Sequence, residues 1–180
     1  MEPGHLFALR WAGYEREMQE LDPEQTIERI LKESHTVAVV GLSSDPDRPS
    51  YDVARFLQSR RYRIIPVNPN ESEVLGERAY PDLPSVPEPV DVVDIFRRSE
   101  AIPPIVQQAI QIGAKAIWMQ KGVRNEEAAG QAQAAGMMVV MDRCMMEEAR
   151  RLVADGRLPD HGQANPKHHL RNVTDVSPTP

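Results

Sequence analysis

The sequence predicts a doubly wound α/β domain, in which helices cover both faces of a parallel β-sheet. Between residues 22 and 155, short apolar runs rich in β-branched residues alternate with segments of helical periodicity. Because parallel strands need long crossover connections, this alternation indicates a parallel sheet within three αβα layers. The 180 residues are enough for one domain with a substantial core.

Short apolar runs mark the expected strands. Each run is rich in Val, Ile or Met and is bounded by Gly, Pro, Asn or charged residues, which is typical of buried strands. In chain order, the expected strands are Thr36–Val40, Arg63–Val67, a short one at Arg78–Tyr80, Asp91–Phe96, Ala116–Met119 and Met137–Met141.

The segments between the strands carry helix signals. Asp22 is a capping residue followed by Pro23 at the first helical position, and Gln25 completes a capping box. Pro103 and Pro104 are compatible with a helix only in its first turn. In chain order, helices are expected over residues 23–33, from Ser50, from Ser99 to Gly113, from Asn125 to Ala135 and from about Met145 to Ala154.

Composition and charge exclude several classes of protein. The formal net charge of −6 gives no reason to expect a nucleic acid or a membrane surface as partner. No apolar run reaches the ~18 residues of a membrane span, and no signal-peptide pattern is present. Cys144 is the only cysteine, so a cytoplasmic location is expected. Residues 1–21 are expected to be an N-terminal extension and residues 156–180 a flexible tail.

Polar residues follow each expected strand, at the edge where doubly wound domains bind ligands. They are Gly41, Ser43, Ser44 and Arg48, with Ser50 opening the next helix; Asn68 and Pro69; Arg97 and Arg98; Gln120 and Gly122; and finally Asp142, Arg143 and Cys144. A glycine turn with serine and arginine side chains suits a phosphate. An ordinary set of polar loops is the alternative interpretation.

The glycine loop departs from the pattern of NAD-binding proteins. That pattern requires further glycines where Ser43 and Pro46 stand, and an acidic residue near Asn68 to hold the ribose hydroxyls. A neutral residue at that position tolerates a phosphorylated ribose. A simple turn at Asn68-Pro69 explains the same residues equally well.

Three segments together resemble the small stand-alone CoA-binding proteins, which are similar to the N-terminal domain of the succinyl-CoA synthetase α subunit. The segments are VAVVGLSSDPDRPSYDVARFL, YRIIPVNPNESEVLGERAYPDLPSVPEPVDVVDIFR and AKAIWMQKGVRNEEAAGQAQAAGMMVVMDRC. The resemblance extends over about residues 27 to 152 and implies a Rossmann-like sheet of strand order 3-2-1-4-5-6. It also implies coenzyme A as the ligand.

The resemblance assigns a role to each group of residues. Gly41, Ser43, Ser44 and Arg48 would hold the CoA phosphates, Asn68 and Pro69 would lie beside the adenosine, and Phe96, Arg97, Gln120 and Gly122 would line the rest of the groove. We also include Ser50 and Arg98 among the expected ligand contacts. The synthetase needs a second domain with a phosphorylated histidine, and no acid–base or nucleophile–base pair is evident in this sequence. We therefore expect a ligand-binding protein without its own ligase chemistry.

Two other functions remain open from the sequence. One is an NAD(P)-binding oxidoreductase or redox-sensing protein, and the other is a subunit of a larger acyl-CoA ligase; association with a second copy is also left open. Cys144 lies beside Arg143 before an expected helix, a setting that favours the reactive form of a thiol. It is therefore a candidate redox thiol. The alternative is a small buried residue, as free cysteines commonly are.

Overall fold

The protein has a five-stranded parallel sheet at its centre, in a computed structural model that describes residues 21–158. The strands are β1 (Thr36–Val40), β2 (Arg63–Val67), β3 (Glu73–Val74), β4 (Glu77–Arg78), β5 (Val92–Ile95), β6 (Ala116–Met119) and β7 (Met138–Val140). The helices are α1 (Pro23–Glu33), α2 (Pro49–Ser59), α3 (Ile102–Gln111), α4 (Glu126–Ala134) and α5 (Met145–Ala154). Almost all of the expected N-terminal extension and of the expected tail lies outside the described residues.

The sheet order confirms the predicted topology. The strands run β2-β1-β5-β6-β7, and each neighbouring pair is parallel. A single parallel bridge between Tyr80 and Val67 takes the third-strand position beside β2. Arg78 was expected in that third strand, but it belongs to β4, which pairs with β3 in a short antiparallel hairpin. Leu75 and Gly76, both at positive φ, make the turn, so the local hairpin outcompetes a longer third strand.

Two apolar clusters, one on each face of the sheet, form the core. Helices α1, α2 and α5 cover the face that carries Val39 and Trp118, and helices α3 and α4 cover the face that carries Ala38 and Ile117. Successive strand residues point to opposite faces, which is why neighbours such as Ala38 and Val39 enter different clusters. The three predicted layers are therefore present.

The helix starts follow the predicted signals with two exceptions. A helix was expected from Ser99, but Ser99–Ala101 form a 3-10 turn and α3 begins at Ile102. The Asp22–Gln25 capping box forms, and Asn125 accepts a hydrogen bond from the backbone N–H of Ala128 at 2.9 Å. Ser50, in contrast, does not cap α2. The helix begins one residue earlier, at Pro49, because proline has the φ angle that a first helical residue needs. Ser50 Oγ instead accepts a hydrogen bond from the backbone N–H of Ser43 at 3.3 Å.

Candidate functional site

A cavity of about 820 Å³ opens at the carboxyl edge of the sheet, between the ends of β1, β5 and β6 and the N-terminal ends of α2 and α5. We call it the main cavity. Of the residues expected to bind a ligand, those lining it are Gly41, Ser43, Arg48, Ser50, Asn68, Phe96, Arg97 and Gln120, together with Cys144. Ser44, Pro69, Arg98 and Gly122 are not among its lining residues. The topology therefore brings most of the scattered polar residues into one cavity.

Gly41 is required by the protein's own packing. Its φ is +89°, and a Cβ built on it would lie 2.5 Å from the backbone oxygen of Phe96. Its N–H donates to the carbonyl of Val67 at 2.8 Å. Because Gly41 has no side chain, the end of β1 can pass close to the end of β5. The sequence analysis had instead explained this glycine by the close approach of a phosphate.

The backbone donors of the loop between β1 and α2 are largely satisfied within the loop and its neighbours. Besides the bond from Ser43 to Ser50, Asp45 N–H donates to Ser43 Oγ at 3.2 Å and Asp47 N–H to Asp45 Oδ1 at 3.0 Å. Ser44 N–H donates to the carboxylate of Glu71 at 2.9 Å. A phosphate bound to the loop would therefore have to displace internal acceptors.

The start of α2 offers a better position for an anion. Its N-cap residue, Arg48, makes no side-chain cap hydrogen bond, so the positive end of the helix has no internal carboxylate or hydroxyl cap. Arg48, Pro49 and Ser50 all line the main cavity. Helix N-termini bind phosphates through free N–H groups and the helix dipole. In α2, Pro49 has no N–H and the N–H groups of Tyr51 and Asp52 donate to the carbonyl of Arg48, so the N–H of Ser50 is the one left for an anion.

Asn68 connects the end of β2 to the glycine loop. It is buried, its Nδ2 donates to the carbonyl of Leu42 at 2.9 Å, and its Oδ1 accepts from the backbone N–H of Asn70 at 3.1 Å. The side chain lines the main cavity, and each of its polar atoms already makes a hydrogen bond. Asn68 therefore uses one amide hydrogen and one Oδ1 lone pair within the protein, and one of each is left for a ligand.

Arg97 differs from the other cations of the main cavity. Arg48 is exposed and lies 3.7 Å from Asp45, and Lys121 is exposed and lies 3.7 Å from Glu147. Arg97 is half-buried and has no ion pair or side-chain hydrogen bond among residues 21–158. It is thus a positive charge available to an anionic ligand.

Asp94 does not line the main cavity but is hydrogen-bonded to Gln120, which does, and the sequence analysis did not identify it. It lies in β5, is fully buried, and its Oδ1 accepts a hydrogen bond of 2.7 Å from Gln120 Nε2. Burial raises the pKa of the Asp94 carboxyl to about 7. The available signal was a lone carboxylate within a run of apolar residues that was correctly predicted to be a buried strand.

Cys144 lies between two cavities. A second cavity of about 550 Å³ adjoins the main one, and Lys121, Cys144 and Glu147 line both. The thiol is half-buried at the N-terminal end of α5, so it is neither fully enclosed nor freely exposed. Within residues 21–158, no group of three or more His, Cys, Asp or Glu residues is arranged to hold a metal ion.

The fold is that of a Rossmann-like α/β domain, with a polar cavity at the carboxyl edge of its doubly wound sheet. The sequence model of the family described as CoA binding domain matches residues 35–150, and the chain belongs to this family. None of the helices in the described part of the chain is long and apolar enough to cross a membrane.

Relatives of this chain include stand-alone proteins and ligases. The uncharacterized protein YneT of Bacillus subtilis is 42% identical over 119 residues, which are 66% of this chain and 88% of that protein. The ADP-forming acetate–CoA ligase II of Archaeoglobus fulgidus is 29% identical over 53% of this chain but only 15% of the ligase. A solved structure of a hypothetical protein from Pyrococcus horikoshii has a TM-score of 0.71 and 38% identity, covering 74% of this chain and 94% of its own.

Proposed function

We propose that the protein binds coenzyme A or an acyl-CoA in the main cavity, and that it has no ligase chemistry of its own. Membership of the CoA-binding family supports the ligand. The observation that carries the proposal is Arg97, a half-buried cation without an acidic partner in the described chain, which shares the main cavity with the uncapped start of α2. A phosphate between them would form charge-assisted hydrogen bonds.

The absence of ligase chemistry is inferred from the relatives and from the histidines. The match covers only 15% of the Archaeoglobus ligase, so most of the enzyme for which that activity is named lies outside it. His35 is the only histidine within residues 21–158, and it lies just before β1, at the opposite edge of the sheet from the main cavity.

Thermal denaturation with different ligands tests the proposal. A ligand raises the melting temperature according to its concentration relative to Kd, so CoA should raise it more than NAD does at equal concentration. Dephospho-CoA should fall between the two. A larger shift with NAD or NADH would contradict the proposal and favour the nicotinamide alternative.

A ligase partner chain is the second candidate function. The α subunit of the ADP-forming acetate–CoA ligase II of Pyrococcus furiosus is 33% identical over 88 residues, 48% of this chain and 18% of that subunit, which makes a subunit role worth testing. Purification of the native protein from its own cells would distinguish the two. Stoichiometric association with a second chain favours the subunit role, and isolation without one, with CoA affinity retained, favours the stand-alone binding protein.

A further inference from the structure

Asp94 occupies an unusual position for a carboxyl group. It pairs in register with Val39 of β1 and Trp118 of β6, so it lies inside the sheet with apolar neighbours on both strands. It is fully buried, and its Oδ2 has no hydrogen-bond partner among the described residues. Buried polar atoms are almost always satisfied, and leaving one unsatisfied costs about 1–3 kcal/mol. Fold stability therefore does not explain an aspartate here.

Gln120 links Asp94 to the main cavity. Its side chain lines that cavity, and its Nε2 donates to Asp94 Oδ1 at 2.7 Å. Because the amide nitrogen faces Asp94, the amide oxygen is the end left for other partners, and Oε1 accepts no hydrogen bond from the described residues. The pair thus offers an acceptor, Gln120 Oε1, to a ligand in the cavity.

We propose that Asp94 is a positioning residue, which holds the Gln120 amide with Oε1 toward the main cavity so that it accepts a hydrogen bond from an amide N–H of the CoA pantetheine arm. This inference rests on the proposed function. An ionised carboxylate only accepts hydrogen bonds, so only the NH₂ end of Gln120 can face it. A protonated carboxyl also donates, so the amide can turn and present its NH₂ group to the cavity instead.

The protonation state of Asp94 therefore sets the orientation of Gln120, and the change falls near neutral pH because the Asp94 pKa is raised to about 7. Burial is the largest cause of that shift, and hydrogen bonds from Gln120 and from the Ile95 backbone oppose it. The ionisable side chains lining the same cavity are Asp47, Arg48, Asp52, Arg97, Lys121, Cys144 and Glu147. Glu148, the buried acid on α5, is paired with Arg143 and Arg151. None of these groups is among the causes of the Asp94 shift.

Calorimetry with two ligands tests this arrangement. CoA and adenosine 3′,5′-diphosphate, which lacks the pantetheine arm, are titrated at pH about 6 and about 8, on either side of the Asp94 pKa of about 7. If the protonated form populates both Gln120 orientations equally, CoA affinity falls about twofold at the lower pH. This decrease in CoA affinity at the lower pH should be absent in Asp94→Asn. The phosphates of CoA titrate in the same way with both proteins, so the comparison cancels their contribution. Binding of adenosine 3′,5′-diphosphate should be the same in both proteins at each pH.

Gln120→Leu provides a second route to the same conclusion if Asp94→Asn folds poorly. It should weaken CoA binding at both pH values, abolish the Asp94-dependent fall, and leave adenosine 3′,5′-diphosphate binding intact. Gln133→Leu, at an exposed position of α4, is the matched control and should bind CoA as the unmodified protein does. Equal pH profiles in the unmodified protein and Asp94→Asn, or an equal loss in Gln133→Leu, would overturn the inference while CoA still binds. Failure of the unmodified protein to bind CoA at either pH would overturn the proposed function itself.

Discussion

Glu71 accepts both hydrogen bonds that Ser44 can donate. One carboxylate oxygen of Glu71 lies 2.9 Å from the backbone nitrogen of Ser44 and 3.1 Å from its Oγ. The sequence assigned these donors to a ligand phosphate, and in the structure they already hold an anion from the protein itself. A phosphate at Ser44 would compete with that carboxylate and be repelled by its charge.

Glu71→Ala tests whether a CoA phosphate reaches Ser44, which does not line the main cavity. If one does, the substitution should raise CoA affinity by up to about tenfold, because a charge-assisted hydrogen bond is worth about 1.5–3 kcal/mol and part of that is recovered by the phosphate. Titration calorimetry measures the change. Glu73→Ala, at an exposed position of β3, is the control and should have a smaller effect. Equal affinities of Glu71→Ala and the unmodified protein would show that no phosphate reaches Ser44.

Gly41→Ala should destabilise the protein more than Gly122→Ala. Both glycines have positive φ, +89° and +81°, so each substitution carries the strain of that conformation, about 1–3 kcal/mol. Only at Gly41 would the new Cβ also lie 2.5 Å from a backbone oxygen, whereas no atom lies within 4 Å at Gly122. Urea denaturation of the two variants gives the comparison. Equal losses would mean that the packing of β1 against β5 contributes nothing.

The two consecutive arginines after β5 should behave differently. Arg97→Ala should weaken CoA binding by about 1.5–3 kcal/mol, because it removes a half-buried cation of the main cavity. Arg98→Ala should have little effect, since Arg98 is exposed and does not line the cavity. Calorimetry with CoA tests both, and the reverse order of effects would refute the placement of the phosphates.

Asp94 should make the stability of the protein depend on pH. Its folded pKa of about 7 lies above its usual value of 3.8, so the folded state favours the protonated form. The stability contributed by that form is fully present below about pH 4 and is lost as the pH rises through about 7. Relative to Asp94→Asn, the unmodified protein should lose up to about 3 kcal/mol between about pH 5 and about pH 8, at about 1.4 kcal/mol per pKa unit. Urea denaturation at these two pH values tests this, and parallel profiles would contradict it.

Cys144 should react with oxidised CoA if it is a redox thiol. Its thiolate would attack the disulfide of oxidised CoA, which forms a protein–CoA mixed disulfide and releases one CoA thiolate. The position of Cys144 in the lining of the main cavity gives the reaction access. Mass spectrometry should show the addition of one CoA, reversible by a reductant and absent in Cys144→Ser. Resistance to both oxidised CoA and a small alkylating agent would favour the structural interpretation.

Local signals in the sequence account for most of the elements. The Asp22–Gln25 capping box and the Asn125 cap formed as predicted, because these bonds join residues only three apart in the chain. The third strand was predicted less well. The turn at Leu75-Gly76 draws Arg78 into a hairpin, and only the bridge from Tyr80 to Val67 remains beside β2. The competition between a local hairpin and a distant strand depends on packing that short-range patterns do not contain.

Residue patterns in the sequence determined the doubly wound class and the edge at which the polar loops meet, because periodicity and crossover geometry are encoded in consecutive residues. The strand order came from the resemblance to the stand-alone CoA-binding proteins. Only the tertiary structure decided which polar groups are free. Asn68 is hydrogen-bonded to Leu42 and Asn70, whereas Arg97 has no acidic partner among the described residues. The tertiary structure also joined Asp94 to Gln120, 26 positions apart in the chain. Hydrogen bonds between distant segments depend on side-chain positions in space, and those positions are fixed only when the sheet and its helices pack together.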